Sequence, residues 1–348
     1  MYLHIDMDYF FAQIEERRRP MAKGKIIVVC VFSGRTADSG VVSTVNYPGR
    51  EAGIRSGMPI AFAKKRAPPA DTVFLPVDHD YYWQVSERID GIVRAACARV
   101  VQASVDEWNA EDDEAERKAR ELKEAILGET GLTCTVGVAP SPLGAKMAAA
   151  KSKPDGLLVL DSEGERKMIS SSDIEKVPGI GPKTAEALRA MGANRVSDIA
   201  SLDAIRLVEV FGRKAGAWLH DIGKGSYGEG LGAEKEQGEI SRIGTLKEKT
   251  RDGYIIMAKL DDLEKEAKER LMGMKKSYKT LSVIFITEDL KTHTKSMSFR
   301  NPKGWAEPAR KEREALVREF LAENDMEVRR VGIRFGGLFD MGGQTTLF

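Results

Sequence analysis

Cysteine is scarce in this chain. The three present, Cys30, Cys97 and Cys134, lie far apart with no CxxC pair. That excludes a disulfide scaffold, gives no support to a zinc ribbon and fits a reducing compartment. Histidine is nearly as rare, and His4, His79, His220 and His293 show no ligand spacing, so no zinc centre is expected. No apolar run approaches the roughly 18 residues that span a bilayer, and the N-terminus lacks a basic flank ahead of an apolar core. The chain is therefore expected in the cytoplasm, with no membrane partner. Net charge is also missing: 54 Lys and Arg stand against 53 Asp and Glu, so the total says nothing about partners. The distribution says more. Residues 241–348 hold 22 basic and 17 acidic side chains, and a basic C-terminal third on a mildly acidic body hints at a polyanion partner. Ordinary charge scatter would give the same count.

At 348 residues the chain is too long for one typical core, which suggests roughly two to four domains. Residues 1–10 alternate, with Leu3, Ile5 and Met7 on one face of a strand and His4, Asp6 and Asp8 on the other. Residues 25–32 are a continuous β-branched run typical of a buried strand. Further strands are expected over 41–45 and 133–138, and helices over 80–100, 115–127 and 143–150. Strands and helices alternate without a regular βαβ repeat, which predicts a multidomain α+β fold. Residues 176–213 read as a small all-helical unit, and 223–238, with six glycines, as a linker. A separate α/β domain follows, with strands over 241–245, 281–287 and 328–335 and a charged helix over 261–272. The scattered methionines need no role beyond core filling.

Four groups of residues could carry chemistry. Asp6 and Asp8 stand on one strand face, and Ser104-Val105-Asp106-Glu107 places two adjacent carboxylates on a second segment. Carboxylates from different strands can converge on Mg²⁺, a hard ion that prefers oxygen donors, and paired ions serve phosphoryl transfer. Adjacent acids also occur as solvated strand ends, and the pair alone does not separate the two readings. Tyr47-Pro48-Gly49-Arg50 places a phenol and a guanidinium at a turn, able to hold phosphate or simply to start a helix. Lys151-Ser152-Lys153-Pro154 ends a small-residue helix with two ammonium groups, which could equally complement its dipole. Val177-Pro178-Gly179-Ile180-Gly181-Pro182-Lys183 is more specific. Two glycines one residue apart expose N–H groups at a helix start beside a lysine, an anion site of the helix-hairpin-helix pattern.

Taken in order, these pieces closely resemble the Y-family, DinB-type translesion DNA polymerases, most of all the archaeal branch. The residues that carry the resemblance run along almost the whole chain. They begin with Ile5-Asp6-Met7-Asp8-Tyr9-Phe10-Phe11-Ala12-Gln13-Ile14-Glu15, Val42-Ser43-Thr44-Val45-Asn46-Tyr47 and Ser104-Val105-Asp106-Glu107. Thr135-Val136-Gly137-Val138, Ala149-Ala150-Lys151-Ser152-Lys153-Pro154-Asp155-Gly156, the Pro-Gly-Ile-Gly hairpin and Val328-Arg329-Arg330-Val331-Gly332 complete them.

The resemblance implies a right-handed polymerase. Its palm would take residues 1–10 and 75–165, its fingers 11–74 and its helix-hairpin-helix thumb 166–229. A linker over 230–240, a little finger over 241–341 and a clamp-binding tail over 342–348 would follow. It also implies that Asp6, Asp106 and Glu107, with the Met7 carbonyl, hold two Mg²⁺ ions, Mn²⁺ being able to substitute. The backbone amides of Tyr9 and Phe10, with Thr44, Tyr47, Arg50 and Lys153, would grip the triphosphate of a dNTP. Phe11 would be the steric gate against a 2′-hydroxyl, and Val41 and Ser43 would line the position over the nascent pair. Gly179, Gly181, Lys183, Arg242, Arg329 and Arg330 would touch phosphates of primer-template DNA. Gln344, Leu347 and Phe348 in the tail resemble a sliding-clamp peptide, a PCNA-like ring being favoured, on an otherwise monomeric enzyme. No stretch matches a proofreading exonuclease.

One departure stands out. Where the family continues Asp-Glu-Ala-Tyr-Leu-Asp, this chain reads Asp106-Glu107-Trp108-Asn109-Ala110-Glu111-Asp112-Asp113, acidic and without alternation. The expectation is a palm strand that ends early and a less secure Glu107. That feature alone favours an alternative, a noncatalytic DNA- and clamp-binding protein with a decayed palm. Acids plus hairpin would also permit a two-metal nuclease, but a nuclease has no need of the triphosphate-grip residues.

Overall fold

The N-terminal alternation folds into strand β1 (Tyr2–Met7), with Leu3, Ile5 and Met7 buried. The computed structural model describes residues 1–228, 230–232 and 238–340. Its further strands are β2 (Ile26–Phe32), β3 (Gly40–Val45), β4 (Thr72–Pro76), β5 (Arg99–Gln102), β6 (Glu107–Glu111), β7 (Cys134–Ala139) and β8 (Leu157–Val159). Four more, β9 (Glu239–Thr250), β10 (Lys276–Thr287), β11 (Thr292–Lys303) and β12 (Val328–Asp340), follow the glycine-rich segment. The chain divides into two units: Met1–Cys30, Val42–Met58 and Ala63–Glu234 form one, and Val31–Val41, Pro59–Phe62 and Lys235–Phe348 the other.

In the first unit, β1 is the centre of a five-stranded sheet ordered β5-β6-β1-β7-β8, antiparallel to β6 and β7. The face bearing Leu3, Ile5, Met7, Trp108 and Ala110 packs against apolar residues of helices Phe10–Arg18, His79–Ala96 and Ala115–Thr130. The other face meets the small-residue helix Pro142–Ser152. A Cβ on Gly137 would collide with the Ala145 carbonyl oxygen and the Ala149 nitrogen, so only glycine admits the helix backbone there. A second core gathers Ile174, Val177, Ile180, Leu188, Leu207 and Leu219 under the short helices Pro182–Ala190, Val196–Ile199, Ala204–Phe211 and Arg213–Gly223.

The second unit contains a four-stranded sheet ordered β11-β10-β12-β9. Leu281, Val283, Phe285, Val331, Ile333 and Phe335 share one core with helices Gly253–Gly273 and Arg310–Glu323. These elements run longer than their apolar cores, so the predicted strands 241–245 and 281–287 and the helix 261–272 were too short. Strand β11 and the helix Arg310–Glu323 were not anticipated. Their few apolar contacts (Met297 and Phe299; Leu316, Val317 and Phe320) are diluted by Ser, Thr and charge.

The decayed-strand expectation is corrected. β6 runs the full five residues from Glu107, pairing with β1 along its length and with β5 on its other side. Trp108 and Ala110 are wholly buried while Glu107, Asn109 and Glu111 face the other way. The alternation is present; one inward residue is a tryptophan and the other only a methyl group, which hid it among the acids. The Trp108 indole N–H donates to Asp90 Oδ1 at 3.0 Å, locking β6 to the helix His79–Ala96.

Candidate active site

Antiparallel register builds the site. Asp6 lies opposite Glu107 on one side and Thr135 on the other, and His4 lies opposite Asn109 and Gly137. Cross-strand partners share a face, so His4, Asp6 and Glu107 converge on the side that receives the helix Pro142–Ser152. Among the described residues, donor atoms of these three lie within 4.8 Å of one another. Because Gly137 lets that helix lie directly on the sheet, its lysines reach the acids. Lys146 Nζ is 2.7 Å from Glu107 Oε2, and Lys153, the residue capping the helix, places Nζ 2.5 Å from Asp6 Oδ1.

Burial raises the Asp6 carboxyl to about 6, with Glu107 and Asp106 adding repulsion and the Lys153 ammonium opposing. Burial also pushes Glu107 upward, but the Lys146 hydrogen bond and the Lys146 and Lys153 ammonium charges together leave it below the ordinary value. Asp106 stands apart from the tight group: its Oδ1 accepts from Ser104 Oγ at 2.7 Å. Its backbone carbonyl accepts from Met7 N at 2.9 Å, which binds the acidic turn to the end of β1. The donor set fits a divalent cation. Two carboxylates are crowded together, and ammonium groups supply the positive charge that such an ion would bring.

His4 was missed. It is 1% exposed, its Nδ1 lies 2.7 Å from Asn109 Oδ1, and its Nε2 has no hydrogen-bond partner and sits 4.0 Å from Glu107 Oε1. Burial lowers it to about 4, so the ring is neutral at neutral pH. The signal was its place two residues before Asp6 on an alternating strand. Asp8, expected beside Asp6, is corrected: β1 ends at Met7, the chain turns, and the Asp8 side chain is completely buried outside the acidic group.

The phosphate-grip candidates sit around this turn. Tyr9 adopts a left-handed backbone (φ 34°) at the start of the helix Phe10–Arg18, whose first-turn N–H groups lack helical acceptors. Tyr47 begins the short helix Tyr47–Glu51, with Thr44 on β3 just ahead of it. That turn is set by Asn46, which sequence reading passed over. Its Oδ1 accepts from Gly49 N and Ile27 N, and its Nδ2 donates to the Lys25 carbonyl at 2.8 Å. Tyr9 and Tyr47 meet edge to face at 5.1 Å, and the Arg50 guanidinium lies 5.0 Å from the Tyr47 ring. Phe11 stacks at 4.3 Å on Tyr82, whose hydroxyl donates to buried Glu15 at 2.8 Å, so the Phe11 ring is braced from below. Phe10 is core.

The nucleic-acid candidates fall in two places. Gly179 has φ +97° and faces Trp218 so closely that a Cβ would stand 3.0 Å from the indole, while Gly181 caps the helix Pro182–Ala190 that carries Lys183. In the second unit, Arg330 lies opposite Thr245 and Ile286 in β12, and Arg334 opposite Ser241 and Ser282. With Thr280, Thr292, Thr294, Ser296 and Ser298 in register, they form a Ser/Thr/Arg band on the sheet face away from the helices. Arg329 precedes Arg330 at an irregularity in the register. Arg242 does not join the band. It pairs with Ile333 on the helix-bearing face and lies 3.8 Å from Glu266 of the helix Gly253–Gly273. Gln344, Leu347 and Phe348 lie outside the described residues. No helix among the described residues is long and apolar enough to cross a membrane.

The chain is similar to known proteins along almost its whole length. Residues 5–150 match the impB/mucB/samB family, 238–347 the impB/mucB/samB family C-terminal domain, and 171–217 a SAM-like helix-hairpin-helix tandem. The chain is 39% identical to DNA polymerase IV of Methanosarcina acetivorans over 99% of its own length and 98% of that protein's. It is 35% identical to DNA polymerase IV of Sulfurisphaera tokodaii, with 99% of each covered. Among solved structures it is similar to the Y-family DNA polymerase chimera Dbh-Dpo4(243-245)-Dbh (33% identity, TM-score 0.90, 97% of this chain and 99% of that one). It is also similar to the insertion ternary complex of Dbh DNA polymerase (32% identity, TM-score 0.70, 97% and 99%).

Proposed function

The chain belongs to the impB/mucB/samB family of DinB-type Y-family DNA polymerases, and from that premise we propose that Asp6, Asp106 and Glu107 are its catalytic carboxylates and act with two Mg²⁺ ions. The protein is a DNA-directed translesion DNA polymerase that uses a divalent metal, primer-template DNA and dNTPs. The observation that carries the site assignment is the cross-strand pairing of Asp6 with Glu107 under two lysines. When bound, the cations lower the pKa of the primer 3′-hydroxyl and neutralise charge growing on the phosphates.

The chain's own groups do the rest. The Asp6, Asp106 and Glu107 carboxylates and the Met7 carbonyl would hold the ions. The amides of Tyr9 and Phe10, with Thr44, Tyr47, Arg50 and Lys153, hold the triphosphate as charge-assisted donors. Phe11, braced on Tyr82, excludes a 2′-hydroxyl by contact. Gly179, Gly181 and Lys183 in the thumb, and Arg329 and Arg330 in the little finger, take phosphates of the duplex. Arg242, turned toward Glu266, is the weakest of that set. We assign palm to 1–10 and 75–165, fingers to 11–74 and thumb to 166–229; the linker expected over 230–240 stops short of Glu239, where β9 begins and Ile240 enters the core, so the little finger takes 239–341. The tail 342–348 we read as a tether to a PCNA-like clamp on a monomeric, cytoplasmic enzyme.

Single-nucleotide primer extension with Mg²⁺ tests the assignment, wild type beside Asp106→Ala on undamaged and abasic templates. Extension by wild type, abolished in the variant with primer-template binding retained, is the expected result. Binding without extension in either protein would return the noncatalytic alternative.

A further inference from the structure

The Asp8 carboxylate is 0% exposed, belongs to no cation group among the described residues and is not used by the mechanism above. A buried carboxylate persists only where donors replace its lost hydration, and Asp8 has four. Thr135 Oγ1 donates to Oδ1 at 2.8 Å and Thr133 Oγ1 to Oδ2 at 2.9 Å; the Asp155 backbone N–H donates to Oδ2 at 2.9 Å, and the Tyr47 hydroxyl lies 3.4 Å from Oδ1. The last two matter most, because they come from opposite sides of the phosphate-grip cluster. Asp155 follows Lys153 by two residues in a tight turn, with φ 48°, the left-handed region that aspartate adopts more readily than most residues. Lys123 also holds this turn, at Asp155 Oδ1 and at the Asp155 carbonyl. On the other side, burial and the Asp8 charge keep the Tyr47 phenol protonated; its single O–H proton points at Asp8 across a long 3.4 Å here and turns to a phosphate oxygen when the triphosphate arrives, the ring position being what Asp8 sets.

We propose that Asp8 is a positioning residue for triphosphate binding, a buried anchor that fixes the Tyr47 hydroxyl and the Lys153 turn at one spacing. This rests on the reading of Tyr47 and Lys153 as triphosphate ligands. Asp8 touches neither metal nor substrate. It sets the distance between two groups that do, and a small misplacement of such groups costs binding before chemistry.

The test is steady-state dNTP insertion by the full chain, comparing Asp8→Asn, Tyr47→Phe/Lys153→Ala and the triple variant, with primer-template affinity and Mg²⁺ half-saturation measured on each. Asn keeps the shape but loses the charge that the four donors address. The expected result is a rise of about tenfold in KM for dNTP in Asp8→Asn. The kcat, primer-template affinity and Mg²⁺ half-saturation should stay near wild type. Thr135→Val, which removes one donor and leaves the carboxylate, should move KM the same way by less, and it serves if Asp8→Asn does not fold. In the triple variant Asp8→Asn should add nothing further. An equal multiplication of KM in that background, or a shifted Mg²⁺ half-saturation, overturns the proposal. If Tyr47→Phe/Lys153→Ala has wild-type KM, the reading of the grip itself has failed; if that variant is impaired and Asp8→Asn is not, Asp8 alone has been misread.

Discussion

At the scale of single residues, burial and charge pairing decide what each acid does. Asp6, Asp8 and Glu107 lie within one small region, yet each has a different environment. Asp8 is enclosed by neutral donors, Glu107 is held ionised with help from Lys146, and Asp6 is raised to about 6. The consequence for pH follows from sign. A carboxyl whose pKa rises on folding binds its proton more tightly in the folded state, so protons compete with metal there as pH falls through 6, and not at 7 to 8. Mg²⁺ half-saturation is therefore expected to be flat between pH 7 and 8 and to weaken roughly tenfold per pH unit below 6. A metal titration across pH checks this; a dependence centred near 4 would mean that Asp6 behaves as a solvated acid.

At the scale of elements, the decisive contact is helix on strand. The helix Pro142–Ser152 buries Ala145, Ala148 and Ala149, small side chains that let two backbones approach, and Gly137 of β7 completes the seat. That closeness brings Lys146 and Lys153 over the acids. Gly137→Ala has no room to relax except by lifting the helix. It is expected to cost about 1–3 kcal/mol of stability and to impair dNTP insertion more than DNA binding. Chemical denaturation and insertion kinetics on the same variant check both halves. A stable variant with normal insertion would show that the lysines do not depend on this seat. Strand β6 makes the companion point: Trp108 and Ala110 keep the alternation, so Glu107 stays in register with Asp6 through a segment whose composition argues against a strand.

At the scale of the whole molecule, the two units separate tasks: one holds the carboxylates and the helix-hairpin-helix, the other a sheet with Arg330 and Arg334 among serines and threonines. A tail on a glycine-containing tether would work by raising local concentration. Removal of residues 342–348 is expected to leave extension of a bare primer-template unchanged and to abolish stimulation by a PCNA-like ring; primer extension with and without the ring reads the difference. The local pattern of the chain determined much of this protein. Period-two alternation placed Leu3, Ile5 and Met7 inside, the Gly179-Ile180-Gly181 spacing marked the hairpin, and the motif order pointed to the family. These are properties of neighbours in the chain, so a linear reading reaches them. Tertiary structure alone decided that the strand face carrying His4 and Asp6 meets Glu107, that Asp8 leaves that face, that Asn46 shapes the Tyr47 turn and that Arg242 faces Glu266. Each of those outcomes depends on strand register and on which element covers a face, and such contacts pair residues as far apart as Asp8 and Asp155, beyond the reach of any local period.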